Sequence, residues 1–412
     1  MSNLPSNTSC SFEMTVSEKT SRNMVHLFLN RISNAGLTLI EEGSGVYQFG
    51  DSNSEMQAQL IIRKPDFYVR VLRGGSVAAG EAYIDGDWDS PDLTAFIRVV
   101  VRNLPMLDQL EQRIGGALRI KNKIAHWLNR NNLVQAKKNI SAHYDLGNDF
   151  YRQFLDSQML YSSGIYLSKE DDLAQAQVNK MHRLCQQLQL EPDDHVLEIG
   201  TGWGAMAIYM AKHFGCRVTT TTISAEQYQW AEKRIAEEGV SDRVTLLLRD
   251  YRELDGIYDK LVSVEMIEAV GLSYLPEYIK QCQTLLKPGG LAVLQAITIA
   301  DQRFDYYRQN VDFIQMYVFP GGFLPSVSQL QSSFTRHSDF VCRDLKDIGY
   351  DYARTVKDWH DGVNENSSAI RAQGFDERFM RLWRFYLSYC EGGFWERSIS
   401  AIQLTLSRPK WV

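Results

Sequence analysis

The spacing of apolar and polar positions divides the chain into stretches of different character. Residues 1–23 are polar, rich in Ser, Thr and Asn, and carry no sustained apolar period, which predicts an unfolded opening segment. Val46–Gly50, Met56–Arg63 and Asp66–Leu72 are short runs enriched in β-branched and aromatic residues. Turn chemistry at Asp51-Ser52-Asn53 and Lys64-Pro65 separates them, so three strands are predicted. Ser90-Pro91-Asp92 opens a helix reaching about Asn103, with Ser90 as N-cap and Pro91 in the first turn. Together these elements predict a small mixed domain over residues 24–110.

From Ser141 the pattern becomes an alternation of helices and short apolar runs. His195–Gly200, Arg217–Ile223, Val244–Arg249, Lys260–Met266 and Leu291–Ile297 have strand length and composition, with helical stretches such as Ala205–Phe214 and Ala225–Glu238 between them. This order predicts an α/β domain over residues 141–412, a doubly wound parallel sheet with ligands at the carboxyl ends of its strands. A length of 412 residues agrees with two domains.

Charge changes the picture in one place. The net charge of −6 is unremarkable, and no nucleic-acid partner is expected, but residues 111–140 hold seven basic residues and one acid. Ile120, Ile124, Trp127 and Leu128 recur there at helical spacing with lysines between them. Such a basic amphipathic helix suits the surface of an anionic bilayer, and it equally suits an interdomain linker with a solvated face. The six cysteines lie far apart, without a CxxC pair or Cys/His cluster, so neither a metal site nor a disulfide framework is expected. No apolar run approaches the ~18–20 residues of a membrane span, and the first ten residues lack signal-peptide character. The expectation is a cytoplasmic protein that reaches lipid peripherally, at the inner membrane surface; a homodimer is compatible with the chain.

The first strand of the α/β domain ends in Glu198-Ile199-Gly200-Thr201-Gly202-Trp203-Gly204. Glycines at 200, 202 and 204 allow a tight turn and close approach of a ligand before the next helix. Their G-x-G-x-G spacing misses the G-x-G-x-x-G of dinucleotide sites, and Glu198 suits the cationic amino group of S-adenosylmethionine. A nicotinamide dinucleotide predicts an acid at the end of the second strand. That end reads Thr219-Thr220-Thr221-Thr222-Ile223-Ser224 instead, and Glu226 falls inside the following helix.

Several further motifs occur in one order: Ala142-His143-Tyr144-Asp145-Leu146-Gly147-Asn148-Asp149-Phe150-Tyr151, Tyr161-Ser162, Thr222-Ile223-Ser224-Ala225-Glu226-Gln227, Phe319-Pro320-Gly321-Gly322 and Leu324-Pro325-Ser326. With Gly80-Glu81-Ala82-Tyr83 and Gly86-Asp87-Trp88 upstream, the chain resembles the cyclopropane fatty acid synthases. The resemblance implies a Rossmann-like methyltransferase domain that carries the methyl group of S-adenosylmethionine to a double bond in a phospholipid acyl chain. It implies a cofactor site lined by Tyr161, Ser162, Gly200, Gly202, Thr222, Gln227 and Tyr251. The residues alone agree for the glycines and for Tyr251, just past the third strand; for Tyr161 and Ser162 they suggest only a surface loop after Leu160.

The fourth strand leads into Val264-Glu265-Met266-Ile267-Glu268-Ala269. Glu265 and Glu268 stand at i and i+3, which would put both carboxylates on one face of a helical turn, where burial tunes a base. The resemblance implies that Glu268 helps hold a bicarbonate that takes a proton from the transferred methyl. Tyr352 and a backbone group near Ile297 are implied for the same pocket. Four positions depart from the family pattern: Ser163 where cysteine is usual, Gln295 and Ala269 where histidine is usual, and Glu265 where the residue is usually small. Ser163 and Gln295 still donate hydrogen bonds, but a second carboxylate repels bicarbonate and is itself a candidate base. A base in a different place could leave a methyl-branched alkene rather than a ring, so enzymes making methyl-branched or furan fatty acids are alternatives. A lipid-binding protein that has lost the chemistry is another. The segment Asp301–Asp351, with Phe304, Tyr306, Tyr307, Phe313, Tyr317, Phe319 and Phe323, is expected to cover the acyl site.

Overall fold

The structure, a computed structural model, describes residues 12–105 and 146–410, which fall into two compact units. The basic stretch at residues 111–140 lies outside the described residues, as do residues 1–11 and the first four residues, 142–145, of the motif that begins at Ala142.

The first unit comprises the described residues up to 105 together with Asp376–Gly392. Its first helix, α1 (Val16–Leu29), starts inside the segment expected to be unfolded. A capping box explains why: Thr15 Oγ1 accepts the Glu18 N–H at 3.3 Å, and Glu18 Oε2 accepts the Thr15 N–H at 2.7 Å. A four-stranded sheet follows in the order β2-β1-β3-β4, made of β1 (Gly36–Glu41), β2 (Gly45–Gly50), β3 (Gln57–Ile62) and β4 (Trp88–Asp89). Strand β1, central to this sheet, was missed by the sequence reading although Leu37 and Leu39 alternate into the core.

Asp66–Leu72, predicted as a strand, instead opens helix α2 (Asp66–Ile84), which bends at Gly75 (φ 59°). Tertiary bonds override its strand-like composition. Tyr68 donates to the buried Glu41 at 2.6 Å, and Arg70 reaches Asp85 at 2.9 Å. Helix α3 (Leu93–Arg102) lies where expected, but its N-cap is Asp92, which accepts the Ala95 N–H at 2.8 Å, rather than Ser90.

The second unit carries the doubly wound sheet, seven strands in the order β10-β11-β9-β8-β5-β6-β7. These are β5 (His195–Ile199), β6 (Arg217–Thr222), β7 (Val244–Leu248), β8 (Tyr258–Val264), β9 (Leu286–Ile299), β10 (Val341–Asp347) and β11 (Ile399–Ser407). Strands β5 to β9 run parallel; β11 pairs antiparallel with both β9 and β10. Helices α4 (Leu173–Leu188), α5 (Ala205–Phe214), α6 (Ala225–Glu237) and α7 (Gly349–Glu365) are among those packed around it. Two apolar clusters fill the sheet's faces, one around Leu197, Leu261 and Leu294, the other around Val196, Val262 and Val293. Consecutive residues of one strand thus serve opposite layers, as the two-residue period requires.

From β5 the chain moves outward through β6 to β7, then returns to β8 on the other side of β5. The strand order therefore reverses between β5 and β8, which opens a crevice beyond their carboxyl ends. Gly200 and Glu265 are the first residues of that crevice. Among the described residues no helix is long and apolar enough to cross a membrane.

Candidate active site

The loop after β5 hangs on its neighbour: the N–H groups of Gly200 and Thr201 both donate to the Thr221 carbonyl, at 3.1 and 3.0 Å. Gly200 (φ 100°) and Gly202 (φ 54°) take left-handed conformations. A side chain on Gly202 would enter open space, so this glycine keeps a cradle clear at the strand ends. Glu198, 2% exposed, accepts a hydrogen bond from Thr220 Oγ1 at 2.5 Å. Burial pushes its carboxyl up to about 8, and a bound cation is what would bring it back down.

The other residues expected around the cofactor gather on the same side. Thr222 donates to Gln227 Oε1 at 2.9 Å at the end of β6. Tyr251 follows β7 in a single tight turn, edge-on to Tyr278 at 5.4 Å. The Trp203 indole donates to Asn148 at 2.7 Å and its ring lies 5.3 Å from Tyr151, tying the glycine loop to the Asn148-Asp149-Phe150-Tyr151 motif. Tyr161 packs 5.4 Å from Tyr151 and 5.0 Å from Trp359, and Ser162 is buried; neither belongs to a surface loop. An open glycine cradle, a buried acid and flanking aromatic rings fit an aminoacyl nucleoside with a cationic amino group. When bound, S-adenosylmethionine supplies an electrophilic methyl on its sulfonium.

Beyond β8 lies a pocket built from four separated segments. Glu265 ends the strand in a left-handed conformation (φ 49°) while its N–H still bonds the Gln295 carbonyl of β9 at 2.7 Å. Glu268 follows in the short turn Ile267–Ala269. The two acids therefore do not share a helical face, because the left-handed residue intervenes. They still interact: the Glu265 charge, after burial, helps push Glu268 up to about 8. Each residue keeps some accessible surface, so the pair is enclosed without being sealed.

Glu265 Oε1 accepts the Ser163 N–H at 2.9 Å and the Gln295 amide at 2.8 Å. Its Oε2 accepts the Tyr352 hydroxyl at 2.6 Å. Glu268 Oε1 accepts the Ile297 N–H, while Oε2 is buried without a hydrogen-bond partner among the described residues. Burial raises the Glu265 carboxyl as well, but three hydrogen bonds and a nearby lysine oppose that rise. Burial and its neighbour's charge thus push Glu268 up, while the donors around Glu265 favour the ionised form of that residue.

All five residues expected in the catalytic pocket (Ser163, Glu265, Glu268, Gln295, Tyr352) come together, but in an order not foreseen: four of them form one network centred on Glu265. Sequence reasoning also missed a layer behind it. Lys180 on α4 is 1% exposed and donates to Ser162 Oγ at 2.7 Å. It feels the charges of Glu265 and Asp156, and burial lowers it to about 8. Gln403 on β11 donates to Gln295 Oε1 at 2.9 Å, and Arg183 donates to Gln403 at 2.9 Å. The signal for Lys180 was present: with Gln177 it interrupts the apolar stripe Ala176, Met181, Leu184, Leu188 of its helix. A bicarbonate does not fit this pocket as the chain stands, because the Ser163 N–H, the Gln295 amide and the Tyr352 hydroxyl are already spent on a carboxylate.

The aromatic segment after β9 reaches the turn that carries Glu268 through the Phe323 N–H, which donates to the Glu268 carbonyl at 2.9 Å. Tyr307 and Phe323 form a small apolar cluster with Phe304, Leu272 and Leu324 beside this turn.

Comparison with known proteins bears on this geometry. The family described as mycolic acid cyclopropane synthetase matches residues 131–404. The cyclopropane-fatty-acyl-phospholipid synthase of Escherichia coli K12 is 38% identical over 361 residues, covering 86% of this chain and 89% of its own. The tuberculostearic acid methyltransferase of Mycobacterium tuberculosis is 36% identical over 368 residues, covering 85% and 83%. Among solved structures, a mycolic acid cyclopropane synthase complexed with SAH superposes with a TM-score of 0.62 at 26% identity, covering 66% of this chain and 98% of that one. Neither a dehydrogenase nor a protein without catalysis is favoured by these likenesses. The glycine cradle, the paired acids at the β8 end and these likenesses lead to one conclusion: the chain belongs to the cyclopropane synthase family of S-adenosylmethionine-dependent methyltransferases.

Proposed function

We propose that this protein transfers the methyl group of S-adenosylmethionine to a carbon–carbon double bond in an acyl chain of a membrane phospholipid and closes a cyclopropane ring. The observation that carries the reading is the enclosed pair Glu265–Glu268, held by the Ser163, Gln295, Tyr352 and Ile297 donors at the strand end beside the glycine cradle. Methylating an alkene leaves a cation on the chain, and a proton must then be lost. A fixed negative charge stabilises such a cation, and a positioned acceptor removes its proton. Glu198, Gly200, Gly202, Thr222, Gln227, Tyr251, Tyr161 and Ser162 hold and orient the methyl donor in this reading. Phe304, Tyr307 and Phe323 exclude water from the reacting carbons.

The substrate lies in a bilayer, so the protein has to dock there, and the basic stretch 111–140 supplies the charge for peripheral contact with anionic headgroups. Binding to anionic vesicles is expected to weaken as salt rises and to weaken further when Lys121, Lys123 and Lys137 are changed to Glu. Sedimentation with vesicles that is indifferent to both changes would reduce this stretch to a linker.

The decisive experiment incubates the purified protein with labelled S-adenosylmethionine and unsaturated phospholipid vesicles, then examines the acyl chains by proton NMR. A ring and a methyl-branched alkene from one chain are isomers, so intact mass does not separate them. Cyclopropane methylene protons resonate far upfield of alkene and methyl protons, and that upfield signal is expected. Label in the lipid without it would replace ring closure by methyl branching, and no label at all would overturn the lipid reading.

A further inference from the structure

We propose that the Glu265 carboxylate permanently occupies the place of a dissociable oxyanion in the catalytic pocket, so that proton removal from the alkylated chain needs no free bicarbonate. The inference rests on the methyl-transfer reading above and concerns which group takes the proton.

The geometry of the donors is the first argument. Three groups from three separate segments converge on Glu265: the Ser163 N–H, the Gln295 amide on β9 and the Tyr352 hydroxyl on α7. An ionised carboxylate offers about four lone-pair positions. Three are filled, two on Oε1 and one on Oε2, which leaves one acceptor position on Oε2. A small oxyanion entering the pocket would have to displace the carboxylate from every one of these donors and then endure its charge.

The second layer fixes this arrangement. Gln295 Oε1 is occupied by the Gln403 amide, so the Gln295 nitrogen has to face Glu265. Arg183, donating to Gln403, orients that amide in turn. Lys180 supplies a buried positive charge close by and reaches Ser162, the neighbour of the Ser163 donor. The network thus presents donors and positive charge to residue 265, the features that keep a carboxylate ionised.

Backbone strain is an independent argument. Glu265 sits at φ 49°, a conformation that strains a residue with a side chain and leaves glycine at ease. The three hydrogen bonds that its carboxylate accepts offset that strain. Strain over-determined by surrounding contacts is a mark of functional positions.

The step balances without another reactant. Once the methyl has joined the alkene, a C–H bond of that methyl breaks and its electron pair forms the second ring bond. The proton passes to Glu265 Oε2, so a cation and a carboxylate become a neutral ring and a neutral acid. The acid releases the proton to water before the next turnover. Tethering also gives the base a far higher effective concentration than a diffusible anion.

The test uses the full-length protein with unsaturated phospholipid vesicles in buffer purged of carbon dioxide, with and without added bicarbonate. The wild-type rate is expected to agree within about twofold in the two buffers. Glu265→Gly, which relieves the strained φ and empties the cradle, is expected to lose about 100-fold in purged buffer and to recover on adding bicarbonate. Glu265→Gln, whose amide still fills the cradle, is expected to lose a similar factor without recovery. A wild type that slows on purging, a Glu265→Gly protein at full rate in purged buffer, or equal rescue of both variants would each overturn the proposal. An arm independent of turnover follows the NMR line of isotopically labelled bicarbonate, which only Glu265→Gly should broaden; broadening by the wild type would overturn the proposal too. Absence of any methylated lipid from the wild type would instead count against the methyl-transfer reading, and the NMR arm would still decide whether the anion is excluded.

Discussion

The two ends of the crevice are built in opposite ways. The glycine loop, at the end proposed for the cofactor, is local: Glu198, Gly200, Gly202 and the first turn of α5 lie within a few residues of one another and are held by the neighbouring strand, with Thr222, Tyr251 and Tyr161 added from other segments. The acid end is assembled from distant segments, since Ser163, Glu265, Gln295 and Tyr352 meet only because β8, β9 and α7 are packed together. A local site tolerates little change of side chain but needs little of the fold. An assembled site draws its charge state from every segment, so one substitution can retune it.

The sharpest way to break this comparison is at the local end. Gly202→Asp is expected to abolish S-adenosylmethionine binding, weakening it roughly 100-fold or more. The aspartate has to adopt φ 54° and places a side chain and a charge in space that is now clear. Titration calorimetry that returned the wild-type affinity would remove the glycine cradle from the cofactor site.

The corresponding change at the assembled end should spare binding and slow chemistry. Glu268→Gln is expected to lower turnover by about tenfold with little effect on affinity for S-adenosylmethionine. The amide keeps an acceptor for the Ile297 N–H and matches the neutral form of Glu268, but it puts an N–H where the unpartnered oxygen stood and cannot ionise, so the fall in rate as pH rises through about 8 should also flatten. A rate and a basic limb both identical to those of the wild type would exclude Glu268 from the reaction.

Legibility in the sequence follows the same division. The strands of the large sheet and the glycine loop could be read because their signals, period and spacing, are contained in short windows. Helix α2 could not: Phe67, Tyr68 and Val71 look like a strand, and only the bonds from Tyr68 and Arg70 to distant acids select the helix. At the acid end the meeting of Ser163, Glu265, Glu268, Gln295 and Tyr352 was expected but their arrangement was not. Spacing i to i+3 suggested a shared helical face, and no local rule announces that Glu265 will take a left-handed backbone. Lys180 escaped because a lysine within a helix is normally solvated; its burial depends on Ser162 and on two carboxylates far away in sequence.

A comparable effect is expected from that lysine, and it sharpens the comparison through pH. Burial raises Glu268 and lowers Lys180, both to about 8. As pH rises through this value, Glu268 gains negative charge while Lys180 loses positive charge, so the pocket becomes strongly anionic and the basic limb of the rate profile should fall there. Lys180→Met removes the positive charge that favours ionised Glu265, so residue 265 should hold its proton to higher pH. Turnover is expected to drop about tenfold at neutral pH, with the acid limb displaced upward. A profile that loses amplitude without moving either limb would make Lys180 a packing residue only.

The smallest effect is expected at Glu198, where the local site contains one nonlocal feature. The free protein holds this carboxyl at about 8, against an ordinary value of 4.5, because burial outweighs the hydrogen bond donated by Thr220. Below pH 4.5 the group is protonated whether the chain is folded or not. Between 4.5 and 8 the unfolded chain ionises while the folded one keeps its proton, so this residue makes the unliganded protein progressively less stable as pH rises through that window. A cationic ligand reverses the situation by pulling the carboxyl into its ionised form, so binding near neutral pH should release about one proton from Glu198. The cost of that ionisation offsets much of the charge attraction, and Glu198→Gln should therefore weaken S-adenosylmethionine binding only by roughly fivefold. Calorimetry in two buffers of different ionisation enthalpy separates the two contributions: the wild type should release more protons than Glu198→Gln. The variant should also lose the decline in melting temperature between pH 5 and 8 that this residue imposes. Equal proton release by the two proteins would mean that the ligand's ammonium is held by another group, and that Glu198 only supports the turn between β5 and the glycine loop.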